Sequence, residues 1–244
     1  MARIDPVADG IYRISTWTPA AGITFNQFLI ADDRPALVHT GVHGDYEEIR
    51  RAISEVLDPA SLAQVILLHF EADECGGMDR FLDAAPASTL TGSALSAALN
   101  LSGWNYRGRF QGLQDGQTID LGRHRLRVLE TPHVHHWDSM MLFDETTRSL
   151  FPSDLFIQPG EQPPLVGEDL SGEMCELYRT TGIFAHEDPV RRVVDRVESL
   201  QPDRVHAMHG GTLTRDAFPR FVRALREQPF AYRGQLLGRP VATV

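Results

Sequence analysis

The feature that most constrains the fold is Val65-Ile66-Leu67-Leu68, an unbroken apolar run with His69 directly after it. A strand without polar alternation is covered on both faces. The chain must therefore build a sheet with packing on two sides, and His69 must sit where that sheet ends. The pattern recurs. Leu126 and Val128 alternate with Arg125 and Arg127 in a half-buried strand that ends near Glu130, ahead of His133, His135 and His136. Ser149 to Phe151 precedes Asp154, and Val205, Ala207 and Met208 form a strand that stops at His209-Gly210-Gly211. Loops just beyond strand ends are where a rigid scaffold usually carries its chemistry.

Other elements fill in around these. Ile11 to Ser15, Phe25 to Ile30 and Ala36 to Val38 read as strands. Met140 to Phe143 pairs with Ser149 to Phe151 through a turn at Asp144-Glu145-Thr146. Asp45 caps a helix whose apolar face is Tyr46, Ile49, Ile53 and Val56. Leu170 to Arg179 is helical. Asp188-Pro189 starts a further helix with Val190, Val193, Val194 and Val197 inward. Thr214 caps a last helix through Phe218, Phe221, Val222 and Leu225, and residues 228–244 carry no signal. The natural packing is a sheet-rich core with helices outside.

Composition narrows the function. At 244 residues the chain is expected to form one large domain spanning 1–244. A net charge of −10 argues against a nucleic-acid partner and an anionic membrane surface. There is no apolar run long enough to span a bilayer, and the N-terminus lacks a signal-peptide core. Cys75 and Cys175 read as two reduced thiols of a cytoplasmic protein.

The polar residues at the strand ends have the chemistry of metal ligands. In His69-x-Glu71-x-Asp73 a spacing of two puts three side chains on one side of an extended loop. A polar loop with Asp73 or Glu74 capping the next helix explains the same residues. Among His133, His135 and His136 the local sequence does not single out a ligand. Asp154 has two oxygens with which to bridge two metals, or it serves a turn. His206 lies within its strand and reads as structural, whereas His209 has the look of a loop ligand. Trp104, Tyr106 and Trp137 fit either an entrance above the metals or an ordinary core, and Tyr178 fits either a site position or a core hydrogen bond.

Taken together, these segments resemble the metallo-β-lactamase superfamily, and within it the diiron domain of flavodiiron proteins. That branch carries His-x-Glu-x-Asp-His, then a His before Trp-Pro-Asp-Ser-Met, then Asp, then His-Gly. Here these stand as His69-x-Glu71-x-Asp73-Glu74, His135-His136-Trp137-Asp138-Ser139-Met140, Asp154 and His209-Gly210. Anchoring on Asp138-Ser139-Met140 selects His135; keeping His-Trp together would select His136. Gly22-Ile23-Thr24-Phe25-Asn26 and the region of Tyr178 extend the match over residues 10–225. The resemblance implies an α+β fold, a four-layer αββα sandwich with the site at one edge of the sheets. It also implies that His69, Glu71 and His135 hold one metal and Asp73 and His209 the other, with Asp154 bridging.

Two positions depart from the pattern. Glu74 replaces the usual histidine; its open roles are a ligand, a hydrogen-bond partner of a metal-bound water, or a helix-start carboxylate. His39 replaces the usual aspartate and is expected beneath the site as a supporting donor or acceptor, with first-shell ligation the alternative. Glu71 stands where a hydrolytic dizinc site of this layout carries a histidine.

Glu71, Asp73 and Asp154 bring three negative charges, four with Glu74. Two ferrous ions, together about +4, bring the site close to neutral. Anionic ligands weaken the acidification of zinc-bound water. The expectation is therefore two Fe ions and a protein that binds or reduces O2, or nitric oxide. The flavin domain of flavodiiron proteins, with its FMN, is not expected within these residues, so electrons would come from a separate donor protein. The alternatives are an O2 sensor or carrier without turnover, and a hydrolase with two Zn ions. A homodimer is a family-level expectation.

Overall fold

The computed structural model describes residues 1–104, 106 and 108–234. Its frame is two sheets of seven strands. The first runs in chain order: β1 (Arg3–Ala8), β2 (Ile11–Thr18), β3 (Ile23–Ile30), β4 (Ala36–Val38), β5 (Gln64–Ile66), β6 (Thr89–Ser93) and β7 (Phe110–Leu113). β1 to β4 are antiparallel neighbours, and β4 to β7 are parallel. The second holds β8 (Thr118–Asp120), β9 (Arg125–Glu130), β10 (Met140–Asp144), β11 (Ser149–Phe151), β12 (Leu165–Val166), β13 (Arg204–His206) and β14 (Thr212–Thr214). Its spatial order is β12-β14-β13-β11-β10-β9-β8.

Parallel neighbours need crossovers, and the helices supply them. α1 (Tyr46–Ile53) links β4 to β5, and α2 (Ala72–Cys75) and α3 (Met78–Ala84) link β5 to β6. α4 (Ala94–Ser96) opens the link to β7. α5 (Ser171–Thr181) and α6 (Glu187–Ser199) lie between β12 and β13, and α7 (Phe218–Glu227) follows β14.

Side-chain parity sorts the interior into three layers. Leu29, Leu37, Val65 and Leu67 face α1 and α3. Phe28, Ile30, Val38, Ile66 and Leu68 face the other sheet, where they meet Val128, Met140, Leu142 and Phe151. On the far side Met141 and Phe143 pack under α5, α6 and α7. The expected four-layer αββα sandwich is the observed fold, and the run at 65–68 is apolar because each face lines a different core. Phe28 and Phe151 meet edge to face between the sheets at 5.6 Å, and truncating either would cost about 3–5 kcal/mol.

Several element ends differ from the sequence reading. Asp45 makes no cap hydrogen bond, because a 3-10 turn over His43–Asp45 already holds it in a helical conformation. α6 begins at Glu187 after His186, so Pro189 is its third residue, where a missing N–H leaves no helical bond unmade. Thr214 belongs to β14, and α7 starts at Phe218. Ala207 and Met208 lie beyond β13, because Met208 turns its carbonyl to the Asn26 N–H of β3 at 2.9 Å. Phe230 is fully buried in the core under α5 to α7 although its segment carried no sequence signal. The expected tail from 235 onward lies outside the described residues.

The sheets are also joined along one edge. The Met140 N–H donates to the Leu68 carbonyl at 2.8 Å, and the Asn26 side chain donates to the carbonyls of Ala207 and Gly210. This joined edge carries the site.

Candidate metal centre

The chain leaves β5 at Ile66, and three residues later His69 points into a pocket between the sheet ends. Its ring is held by Ser153, whose Oγ is 2.8 Å from Nδ1, leaving Nε2 free to face inward. The loop stays extended through Glu71 and then enters α2, which carries Asp73 and Glu74. The alternate-position reading thus holds for His69 and Glu71, while helical winding sets Asp73. Gly76 and Gly77 follow because the backbone passes residues 40–43 too closely for a side chain. A Cβ at Gly76 would lie 2.7 Å from the His43 nitrogen, and one at Gly77 2.6 Å from the Thr40 carbonyl.

His135 comes from the β9–β10 loop, Asp154 from the turn after β11, and His209 from the β13–β14 loop. His209 Nδ1 is 3.0 Å from the Thr24 carbonyl, which aims Nε2 at the site. Gly210 has a φ of +105°, and a Cβ there would press on Gln158 at 2.8 Å.

These side chains form two groups that could each hold a metal ion. His69, Glu71, His135 and Asp154 offer ligand atoms within 4.8 Å of one another, as do Asp73, Glu74 and His209. Asp154 joins them. Its Oδ2 is 2.9 Å from His135 Nε2 and 3.5 Å from His69 Nε2, and its Oδ1 is 3.3 Å from His209 Nε2. Glu71 Oε2 is 3.2 Å from His135 Nε2 and 3.3 Å from His69 Nε2. His209 Nε2 is 3.5 Å from Asp73 Oδ2.

The electrostatics describe a place built for positive charge. Burial alone would lower the His135 pKa, yet bonds to Asp154 and Glu71 raise it to about 10. Burial would raise Asp154, but His135, His69 and His209 hold it well below the ordinary carboxylate range. His135 and His69 likewise hold Glu71 down. Asp154 Oδ1 and both Glu74 oxygens are buried without a hydrogen-bond partner. Buried carboxylate oxygens left so are costly unless a cation meets them. The residues present fit a pair of metal ions.

The remaining candidates fall outside these two groups. His136 Nδ1 is tied to Asp138, and His133 is exposed with a φ of +65°. Of the three neighbouring histidines only His135 faces the carboxylates. His39, fully buried, accepts the Leu68 N–H at Nε2 and lies beneath the site with its ring 6.1 Å from that of His69. The Tyr178 hydroxyl donates to the Asp154 carbonyl at 3.1 Å and accepts the Ile157 N–H at 3.0 Å. It braces the turn that carries Asp154. Ser153, Thr24 and Asn26 support the site; Thr24 and Asn26 entered the sequence reading only as part of the family's opening strands, and Ser153, a turn residue, carried no signal.

Above the carboxylates lies an open cleft of about 440 Å³. Glu71, Asp73, His135, Asp154 and His209 form its floor, and Ile23, Phe25, Leu177 and Ile183 form apolar walls. Trp104 packs on Phe70 and Trp137 on His136 instead, so neither lines this cleft; nor does Tyr106, whose hydroxyl bonds the Arg109 carbonyl. His206 is structural, as expected: it is buried with Nδ1 2.9 Å from Thr212 Oγ1.

Comparison with known proteins gives a consistent picture. A family model described as ODP family beta lactamase matches residues 23–210. An uncharacterized protein of Methanocaldococcus jannaschii is 27% identical over 192 residues, 77% of this chain and 46% of that protein. A nitric oxide reductase of Moorella thermoacetica is 28% identical over 171 residues, 65% of this chain and 43% of that protein. The chain thus spans less than half the length of either relative. The rubredoxin oxygen:oxidoreductase of Desulfovibrio gigas superposes with a TM-score of 0.82 at 21% identity, covering 93% of this chain and 62% of that one.

Proposed function

Given that the chain belongs to the family described as ODP family beta lactamase, we propose that it is a non-haem diiron protein that binds or reduces O2. Nitric oxide is a second diatomic substrate in this reading, and electrons come from a donor outside these residues. His69, Glu71 and His135 would hold one iron and Asp73 and His209 the other, with Asp154 shared between them. Relatives named nitric oxide reductase and rubredoxin-oxygen oxidoreductase support the assignment.

The observation that carries it is the makeup of the floor: Glu71, Asp73 and Asp154 converge on three histidines. A carboxylate-rich set of this kind suits iron and its higher oxidation state. When bound, the metal pair would supply electrons to a diatomic ligand. The protein's part is positioning. Ser153 and the Thr24 carbonyl fix the outer nitrogens of His69 and His209, as outer-shell partners of metal-bound imidazoles do. Tyr178 holds the Asp154 backbone, and Ile23, Phe25 and Ile183 limit water beside the floor.

The test is metal analysis of protein purified with its native metals, followed by anaerobic reduction and exposure to O2 or nitric oxide. About two irons per chain, with gas uptake or an optical change, is the expected result. Zinc at the same stoichiometry, with zinc-dependent ester cleavage and no response to either gas, would reverse it.

A further inference from the structure

Glu74 has no part in the ligand set just described, yet it is a fully buried carboxylate at the same site. Its side chain is 0% exposed, and neither oxygen has a hydrogen-bond partner. Its backbone is anchored: the Glu74 carbonyl accepts the Thr40 N–H at 2.6 Å and the Thr40 hydroxyl at 2.8 Å. This fixes the first turn of α2, so the side chain is held under the site.

The two oxygens face different neighbours. His39 accepts the Leu68 N–H at Nε2, so the neutral ring carries its proton on Nδ1, which faces Glu74 Oε1 at 3.8 Å. Oε2 lies 3.5 Å from His69 Nε2, and Glu74 is grouped with Asp73 and His209. We propose that Glu74 is a further carboxylate ligand of the position held by Asp73, Asp154 and His209, with its second oxygen turned toward His39. The proposal rests on the two-metal reading. It makes the two positions chemically unlike: His69, His135, Glu71 and Asp154 at one, and three carboxylates with His209 at the other. The carboxylate-rich position favours hard divalent ions such as manganese and ferrous iron.

The test is anaerobic titration of the apoprotein with Mn(II), counting free ion from its EPR signal. Wild-type protein should bind about two ions per chain, and E74Q should bind one normally and the other at least about tenfold more weakly. Because an amide oxygen can still coordinate, E74A should weaken that step at least as much. Combining E74Q with D73N should add little, whereas combining it with E71Q should be additive, since only the first pair shares an ion. Unchanged binding in both Glu74 variants would overturn the proposal, as would loss of the step that E71Q weakens. Wild-type protein binding fewer than two ions would instead count against the two-metal reading itself.

Discussion

At the residue scale, Glu71 and His206 define opposite uses of a polar side chain. Glu71 bonds two histidines at the cleft floor. The variant Glu71→Ala should lower bound iron from about two to about one per chain, measured by elemental analysis, with the fold intact. His206 is buried between the sheets, and burial lowers its pKa from 6.5 to about 3. Its neutral form is the one that fits the fold. Its contribution is therefore full above pH 6.5 and is lost as the pH falls from there toward 3, by up to about 1.4 kcal/mol per unit. The stability difference between wild type and His206→Leu, followed by urea denaturation, should shrink as pH falls from 7 to 5. Parallel curves would refute this account. The sequence distinguishes the two positions, a candidate ligand in the loop beyond a strand and a histidine within a strand. Local sequence alone does not choose among His133, His135 and His136, and it is the resemblance that selects His135; the physical reason, Asp138 capturing His136, is a contact set by the folded turn.

At the element scale, α5 matters to the site through one hydroxyl. Tyr178 reaches from that helix to the Asp154 carbonyl and the Ile157 N–H. Tyr178→Phe should destabilise the protein by about 1–3 kcal/mol in urea melts, since it leaves a buried N–H unpaired. It should also slow metal uptake while leaving final stoichiometry unchanged; a lower stoichiometry at saturation would mean that the hydroxyl does more than brace the turn. The apolar periodicity of α1, α6 and α7 marks their inward faces, and Asp45 does stand at the N-cap of α1, though without a cap hydrogen bond; α6 and α7 start away from the Asp188 and Thr214 caps that the sequence suggests. Capping residues are weak signals beside competing backbone bonds. Thr214 pairs with Arg204 in the sheet, and a strand partner outweighs a cap worth about 1 kcal/mol.

At the scale of the whole molecule, strands that are apolar on both faces point to a sheet-rich core with helices outside, because burial on two sides leaves its mark on every residue, whereas the four-layer order came from the family resemblance. The seven-strand count could not. Short strands such as β12 and β14 exist only because each finds a neighbour, and two or three residues carry no period of their own. Removing metal with a chelator should lower the melting temperature, because it returns a cluster of buried carboxylates to mutual repulsion. If the ions were present at a hundredfold over Kd, each site would account for about 2.7 kcal/mol. An unchanged transition would mean that the acidic floor is stable without cations.

The joined edge of the sheets also sets an order of events during synthesis. His209 is aimed by the carbonyl of Thr24, 185 residues earlier, and Asn26 grips the same loop at Gly210. The position proposed for Asp73 and His209 is whole only once the β13–β14 loop has closed onto β3. A nascent chain that stalls before His209 presents His69, Glu71 and Asp73 on an unfinished rim.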